Sequence, residues 1–129
     1  LQRIQADFDN FRRRNAAVRA ESYEEGKRDC MKELLPVLDN FDRAMEHAIA
    51  CDESWREGVA LVQRQLLDTL AKLGLEEIPA DGAFDPNLHE AVAREKAEER
   101  ESGEVLQVLQ KGYRAGERIL RHSMVKVAE

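Results

Sequence analysis

The chain has 129 residues and a mass of 14.7 kDa, with 20 Lys plus Arg against 26 Asp plus Glu, a formal net charge of −6 and a sequence pI near 5.2. Charged residues make up 36%, apolar residues 43% and aromatic residues only 5%, with a mean hydropathy of −0.60, which suits one helix-rich domain with a thin core rather than a densely cored enzyme. The acidic balance argues against nucleic acid or an anionic membrane as the main partner, and no stretch approaches the about 18 apolar residues of a membrane span.

The chain opens with Leu1, Ile4, Phe8, Phe11, Asn15 and Val18, spaced alternately three and four apart, which is a coiled-coil seam with one amide in it. Because Leu1 already lies inside the pattern and is not Met, the chain reads as a trimmed piece from which a leader could have been removed. Past Val18 the seam turns polar at Ser22, Glu25 and Asp29, with no strong breaker before Pro36. A helix of about 35 residues would be about 50 Å long and would protrude from any compact domain of this size. It cannot bury its seam alone, so a parallel homodimer is expected, with Asn15 fixing the register.

Pro36 marks a kink or a new helix start, and the segment around and after it carries Leu34, Leu35, Leu38, Phe41, Met45, Ala48 and Ile49 on one face. A loop at Cys51, Asp52 and Glu53 leads to a capping box, Ser54 with Glu57. The next helix carries Val59, Val62, Leu66, Leu67, Leu70 and Leu73 and ends at Gly74. Two such helices per chain make a four-helix bundle in the dimer, with Leu38, Phe41, Met45, Val62 and Leu66 at the interface.

Punctuation changes at Gly74. Two glycines and one proline precede it, whereas five glycines and two prolines lie from there on. Strands are predicted at about 75–79, 90–95, 104–111 and 118–127, with 96–103 a solvated hairpin connection closed by Gly103. The fold class is therefore α+β: a dimerising helix over 1–35, bundle helices over 36–74 and a small β-domain over 75–129.

Site chemistry is sparse. No phosphate-binding glycine loop is present, and Gly112 and Gly116 match neither nucleotide fingerprint. His47 and Cys51 stand four apart, a metal-compatible spacing, without a third ligand in view; His89 and His122 have no nucleophile and carboxylate at motif spacing. Neither a catalytic residue nor a metal or cofactor is expected, so the chain is read as an interaction protein and not an enzyme. A metal-dependent enzyme built on His47 and Cys51 is the distant alternative. Cys30 and Cys51, 21 residues apart in helical stretches, fit no disulfide framework and point to a reducing, cytoplasmic setting. Arg12, Arg13 and Arg14 form the one compact basic cluster on the arm, either a solvated helix face or a partner contact.

The turn Phe84-Asp-Pro-Asn-Leu-His-Glu-Ala91, then Lys111-Gly112-Tyr113 and the run Arg118 to Val127 together resemble the C-terminal domain of the GrpE family, nucleotide exchange factors of DnaK-type heat-shock chaperones. Ala6 to Arg14, Glu33 to Ala44 and Gly58 to Gly74 resemble the family's helical segments in the same order, so the resemblance covers essentially the whole chain. His122-Ser123 departs from the family's usual pair of small residues or Pro-Ala, and the family's disordered N-terminal tail has no counterpart here.

The resemblance implies a dimer whose β-domain docks on the ATPase domain of a DnaK-type chaperone, opens its nucleotide cleft and releases ADP. It implies chaperone contacts at Phe84, Leu109, Arg118 and Val127, with Arg12 a weaker contact on the arm. Read from the residues alone, Phe84, Leu109 and Val127 could equally be core, and Arg118 a surface ion pair. Gly58 matches a bundle glycine. The resemblance also implies long helices that melt on heating and slow exchange, with Ser22, Glu25 and Asp29 as the weak point. Unfolded polypeptides are a further partner class to which no residue pattern points. The alternative function is a dimeric coiled-coil adaptor that binds another protein through its β-domain.

Overall fold

The computed structural model describes residues 1–47 and 52–129. The opening seam lies in one helix, α1 (Gln2–His47), whose 46 residues make it about 69 Å long at about 1.5 Å each. Residues 1–26 are all exposed, Leu1, Ile4, Phe8, Phe11 and Val18 among them. The expected boundary at Pro36 is not a break, because α1 runs through it. An interior proline forfeits a backbone hydrogen bond and crowds the preceding turn, at about 3 kcal/mol or more. Burial of Leu35 and Leu38 on either side, 2% and 1% exposed, offsets that loss.

The second helix, α2 (Glu53–Lys72), begins one residue before the expected cap: Asp52 is the N-cap, its carboxylate accepting the Ser54 N–H at 3.2 Å. Ala48, Ile49 and Cys51, assigned above to a helix face and a loop, lie outside the described residues. α2 folds back antiparallel on α1. Gln63 Nε2 donates to Asp42 Oδ1 at 2.9 Å, and further along Leu70 packs with Met31 and Leu35. Gly74, at φ +106°, ends the helix in a conformation costly for any residue with a Cβ.

Six strands follow: β1 (Leu75–Glu77), β2 (His89–Glu95), β3 (Val105–Gln110), β4 (Tyr113–Ala115), β5 (Arg118–Arg121) and β6 (Ser123–Ala128). They form two three-stranded sheets, β1-β4-β5, all antiparallel, and β2-β6-β3, in which β2 runs parallel and β3 antiparallel to β6. Three expectations are corrected by this topology. The single strand at 118–127 is two strands in different sheets, divided at His122. Tyr113–Ala115 is a strand that local pattern did not reveal, because three residues are too few to show alternation. The 96–103 segment is no hairpin: β2 and β3 each pair with β6, which lies between them, so the segment crosses over that strand.

The core is divided accordingly. Leu75 and Tyr113 of the first sheet join Met31, Leu35, Leu38 and Leu70 of the helices in one buried cluster. Val105, Val125 and Val127 of the second sheet form a smaller one, covered by Ala80 and Phe84. The sheets meet where Gly112 passes the β5–β6 corner. Its N–H donates to Ser123 Oγ at 3.1 Å, and its carbonyl accepts the Ile78 N–H at 2.9 Å. Ser123 is completely buried.

Candidate partner-binding surface

The loop between β1 and β2 carries Phe84, and a chain of short-range bonds fixes its shape. Asp85 Oδ1 accepts the Asn87 N–H at 2.9 Å, and the Asp85 carbonyl accepts the N–H groups of Leu88 and His89 at 3.0 and 2.8 Å. His89, 5% exposed, ties the loop inward: its Nδ1 accepts the Asp85 N–H at 3.0 Å while Nε2 lies 2.7 Å from the Pro79 carbonyl. The first bond leaves Nδ1 without a proton, so Nε2 carries it and donates to Pro79. Phe84 rests on this ring, centroids 5.9 Å apart, and its N–H reaches the Gly103 carbonyl at 3.0 Å. Sequence reasoning dismissed His89 for want of a catalytic partner and so missed its loop-holding role. The Asp-Pro turn four residues earlier was the available signal.

The expected contact residues are distributed unevenly. Phe84 is half-buried against the second cluster, beside a shallow cleft that Arg94, Ala91 and Val127 also line. Val127 itself is only 6% exposed and belongs to that cluster. Leu109 stands 47% exposed on the outer strand β3, with Val108 and, on the opposite outer strand β2, Val92 also exposed. Arg118 is on the other sheet, after the Gly116 turn, in a cleft shared with Lys27 and Arg28 of α1. Arg12 lies far along α1, its guanidinium 5.4 Å above the Phe8 ring, and about 40 Å of helix separates it from Asp39. Phe84, packed on the second sheet's cluster from the β1–β2 loop, and Leu109, on an outer strand of that sheet, therefore belong to the same part of the molecule, whereas Arg118 and Arg12 are separate points on it.

The residues expected at a helix-pairing interface divide in the same way. Leu1, Ile4, Phe8, Phe11, Asn15 and Val18 are exposed, and so is Val62. Phe41 and Met45 are half-buried; Phe41, Trp55, Gly58, Val59 and Val62 line one open apolar groove. Leu38 lies in the chain's own core, where α2 and the first sheet cover that side of α1. Leu66 packs against the same cluster.

Tyr113, at the root of the strand domain, is held well above its ordinary pKa of 10, first by burial, then by the carboxylates of Glu77 and Asp42. Among the described residues no group of three His, Cys, Asp or Glu could hold a metal ion, and no helix is long and apolar enough to cross a membrane. His47 is described and exposed; its expected metal partner Cys51 lies outside the described residues.

Comparison with known proteins matches the GrpE family model to residues 1–129. Protein GrpE of Clostridium acetobutylicum is 44% identical over 128 residues, covering 99% of this chain and 64% of that protein. Protein GrpE of Exiguobacterium sibiricum is 48% identical over 130 residues, with 98% and 69% covered, and that of Trichormus variabilis 46% identical, with 98% and 52% covered. The chain thus spans between about half and about two thirds of the length of these relatives. A match running unbroken through arm, hairpin and both sheets means that the chain belongs to the GrpE family.

Proposed function

We propose that this chain is a cytoplasmic co-chaperone, a nucleotide exchange factor that opens the ATPase cleft of a DnaK-type chaperone so that ADP leaves and ATP enters, in support of protein folding under stress. The observation that carries this reading is the family match along all 129 residues. The architecture supports it: a strand-built head, fixed by buried Ser123 and His89, sits beside a long helix whose first 26 residues are all exposed.

The working unit is a homodimer. A solitary amphipathic helix in water is marginal, and Ile4, Phe8, Phe11 and Val18 are 57–73% exposed in the single chain, a stripe that a second copy of the same helix would cover. The groove at Phe41 and Val62 continues that pairing into a four-helix bundle, and the open space beside Gly58 leaves room for a second backbone to approach. Residues 1–35 pair the chains, 36–74 complete the bundle and 75–129 bind the chaperone.

The factor makes and breaks no bond. It binds the open cleft better than the closed one and shifts the population accordingly; moving it from 1:99 to 99:1 takes about 5.5 kcal/mol of preference. Phe84 and Leu109 supply apolar contact, and Arg118 supplies a charged anchor. A stiff head suits this work, since ordering a soft one would consume the preference. The test is release of labelled ADP from a DnaK-type chaperone. Acceleration that Phe84→Ala or Arg118→Ala abolishes while the dimer stays folded supports the reading. No acceleration by the unaltered chain favours an adaptor that binds another protein.

A further inference from the structure

We propose that Asp39 and Asp42, one turn apart on α1, are positioning residues for nucleotide exchange: with Arg121, Lys111 and Gln110 they hold the strand domain at one angle to the helix, so that head and arm meet a partner together. The inference rests on the exchange reading above.

The contact between helices and strand domain has two chemically different parts. One is apolar, Leu75 and Tyr113 against Met31, Leu35 and Leu70. Apolar burial is non-directional and tolerates rotation of the packed bodies. The other is a fork. Arg121 Nη1 and Nη2 donate to the two carboxylate oxygens of Asp39 at 2.7 and 2.8 Å, and Gln110 Nε2 adds a third bond to Asp39 at 3.3 Å. The guanidinium is itself held, its Nε donating to the Lys111 carbonyl at 3.0 Å and its Cζ lying 5.8 Å from the Tyr113 ring. A bidentate pair fixes direction as well as distance. With side chains only 20% and 13% exposed, it is also shielded from solvent.

Asp42 ties three elements at one point: it accepts Gln63 of α2 at 2.9 Å and pairs with Lys111, which leads into β4, at 3.3 Å. The other ion pairs among the described residues stay inside a helix, a turn or a sheet, as Lys27 with Glu24, Arg100 with Glu104, Arg114 with Glu76 and Lys126 with Glu95. The two pairs at Asp39 and Asp42 therefore join the strand domain to α1. Leverage makes their stiffness matter. With Arg12 about 40 Å along the helix from Asp39, a rotation of about 10° at this mount displaces it by about 7 Å, beyond the reach of a direct contact.

The experiment uses the full chain with Cys30 and Cys51 replaced by serine and spin labels at Lys32 on α1 and Glu98 on the β2–β3 connection, diluted with unlabelled chain so that each measured distance lies within one molecule. The variants are Asp39→Asn, which keeps shape but leaves a single uncharged acceptor oxygen for Arg121 and Gln110, and Arg121→Lys, which keeps charge but loses the fork. The expected result is a distance distribution at least about twice as broad, with the concentration for half-maximal ADP release raised about tenfold and the plateau rate within about twofold of the parent. A purely structural role would lower the amount of folded protein and leave half-saturation per folded molecule unmoved. A distribution as narrow as the parent's, or a broad one with half-saturation unchanged, overturns the proposal. Should Arg121→Lys fail to fold, Asp39→Asn decides alone. If the parent itself does not accelerate release, the exchange reading fails, while the distance measurement still reports on the mount.

Discussion

Replacing Gly112 by alanine should be among the most damaging single-methyl additions in the strand domain. A Cβ on Gly112 would lie 2.6 Å from Ser123 Oγ and 2.7 Å from the Arg121 carbonyl, and would also collide with the Ser123 backbone nitrogen. Two of these three neighbours are backbone at the β5–β6 corner, and Ser123 is fully buried, so the clash cannot be relieved by a rotamer change. Overpacking of this kind costs about 1–3 kcal/mol. Displacing the corner also strains the buried bond from the Gly112 N–H to Ser123 Oγ, whose loss adds about 1–3 kcal/mol. The lower unfolded-state freedom of alanine offsets about 0.4–1 kcal/mol. The net expectation is about 1–5.6 kcal/mol, read as amide hydrogen exchange at Val125 faster by about fivefold or more. Gly116→Ala is the contrasting control: space there is open and only the positive φ of +62° is strained, so the loss should be about 1 kcal/mol. If Gly112→Ala changes exchange by less than about fivefold, or no more than Gly116→Ala does, the close approach is not what holds the two sheets together.

Phe11→Ala should weaken chain pairing. Burial of this half-exposed ring contributes about 2 kcal/mol per chain, hence about 4 kcal/mol and about a thousandfold in the dimer dissociation constant, measured by sedimentation equilibrium. Leu38→Ala should act differently, lowering fold stability by about 2–5 kcal/mol in denaturant melts, because this side chain is 1% exposed within its own chain. Tyr113 gives a pH signature. Its pKa is raised in the folded state above the ordinary value of 10, so its contribution is fully present below pH 10 and is lost as pH climbs above that. Urea melts of the parent on either side of that value should show the decline, and Tyr113→Phe should remove it; an unaltered alkaline decline in the variant would assign the effect elsewhere.

The helical half was legible because its signals are local. The spacing of Ile4, Phe8 and Phe11 and the stop at Gly74 each depend on residues within two turns. Pro36 misled for the same reason: its local penalty is real, but burial of Leu35 and Leu38 against α2 and the strands outweighs it, and that packing is tertiary. In the strand domain the existence of strands was readable and their pairing was not. β6 takes its neighbours from residues 89–95 and 105–110, and nothing within its own six residues encodes that β2 is parallel to it. The Asp39–Arg121 fork spans 82 positions, and only the fold brings the two together. For Val127 the sequence could not decide between core and contact, because alternation in a strand reveals two faces without saying which one a second sheet cluster covers.

Nucleotide exchange of the proposed kind requires a preference for one state of the partner, and calorimetric titration measures that preference. Titrating the protein into the ATPase domain of a DnaK-type chaperone, nucleotide-free in one cell and ADP-bound in another, should give markedly tighter binding to the nucleotide-free form, with ADP driving the complex apart. Equal affinity for the two forms would contradict it, since a protein that binds both alike shifts no population however tightly it holds them.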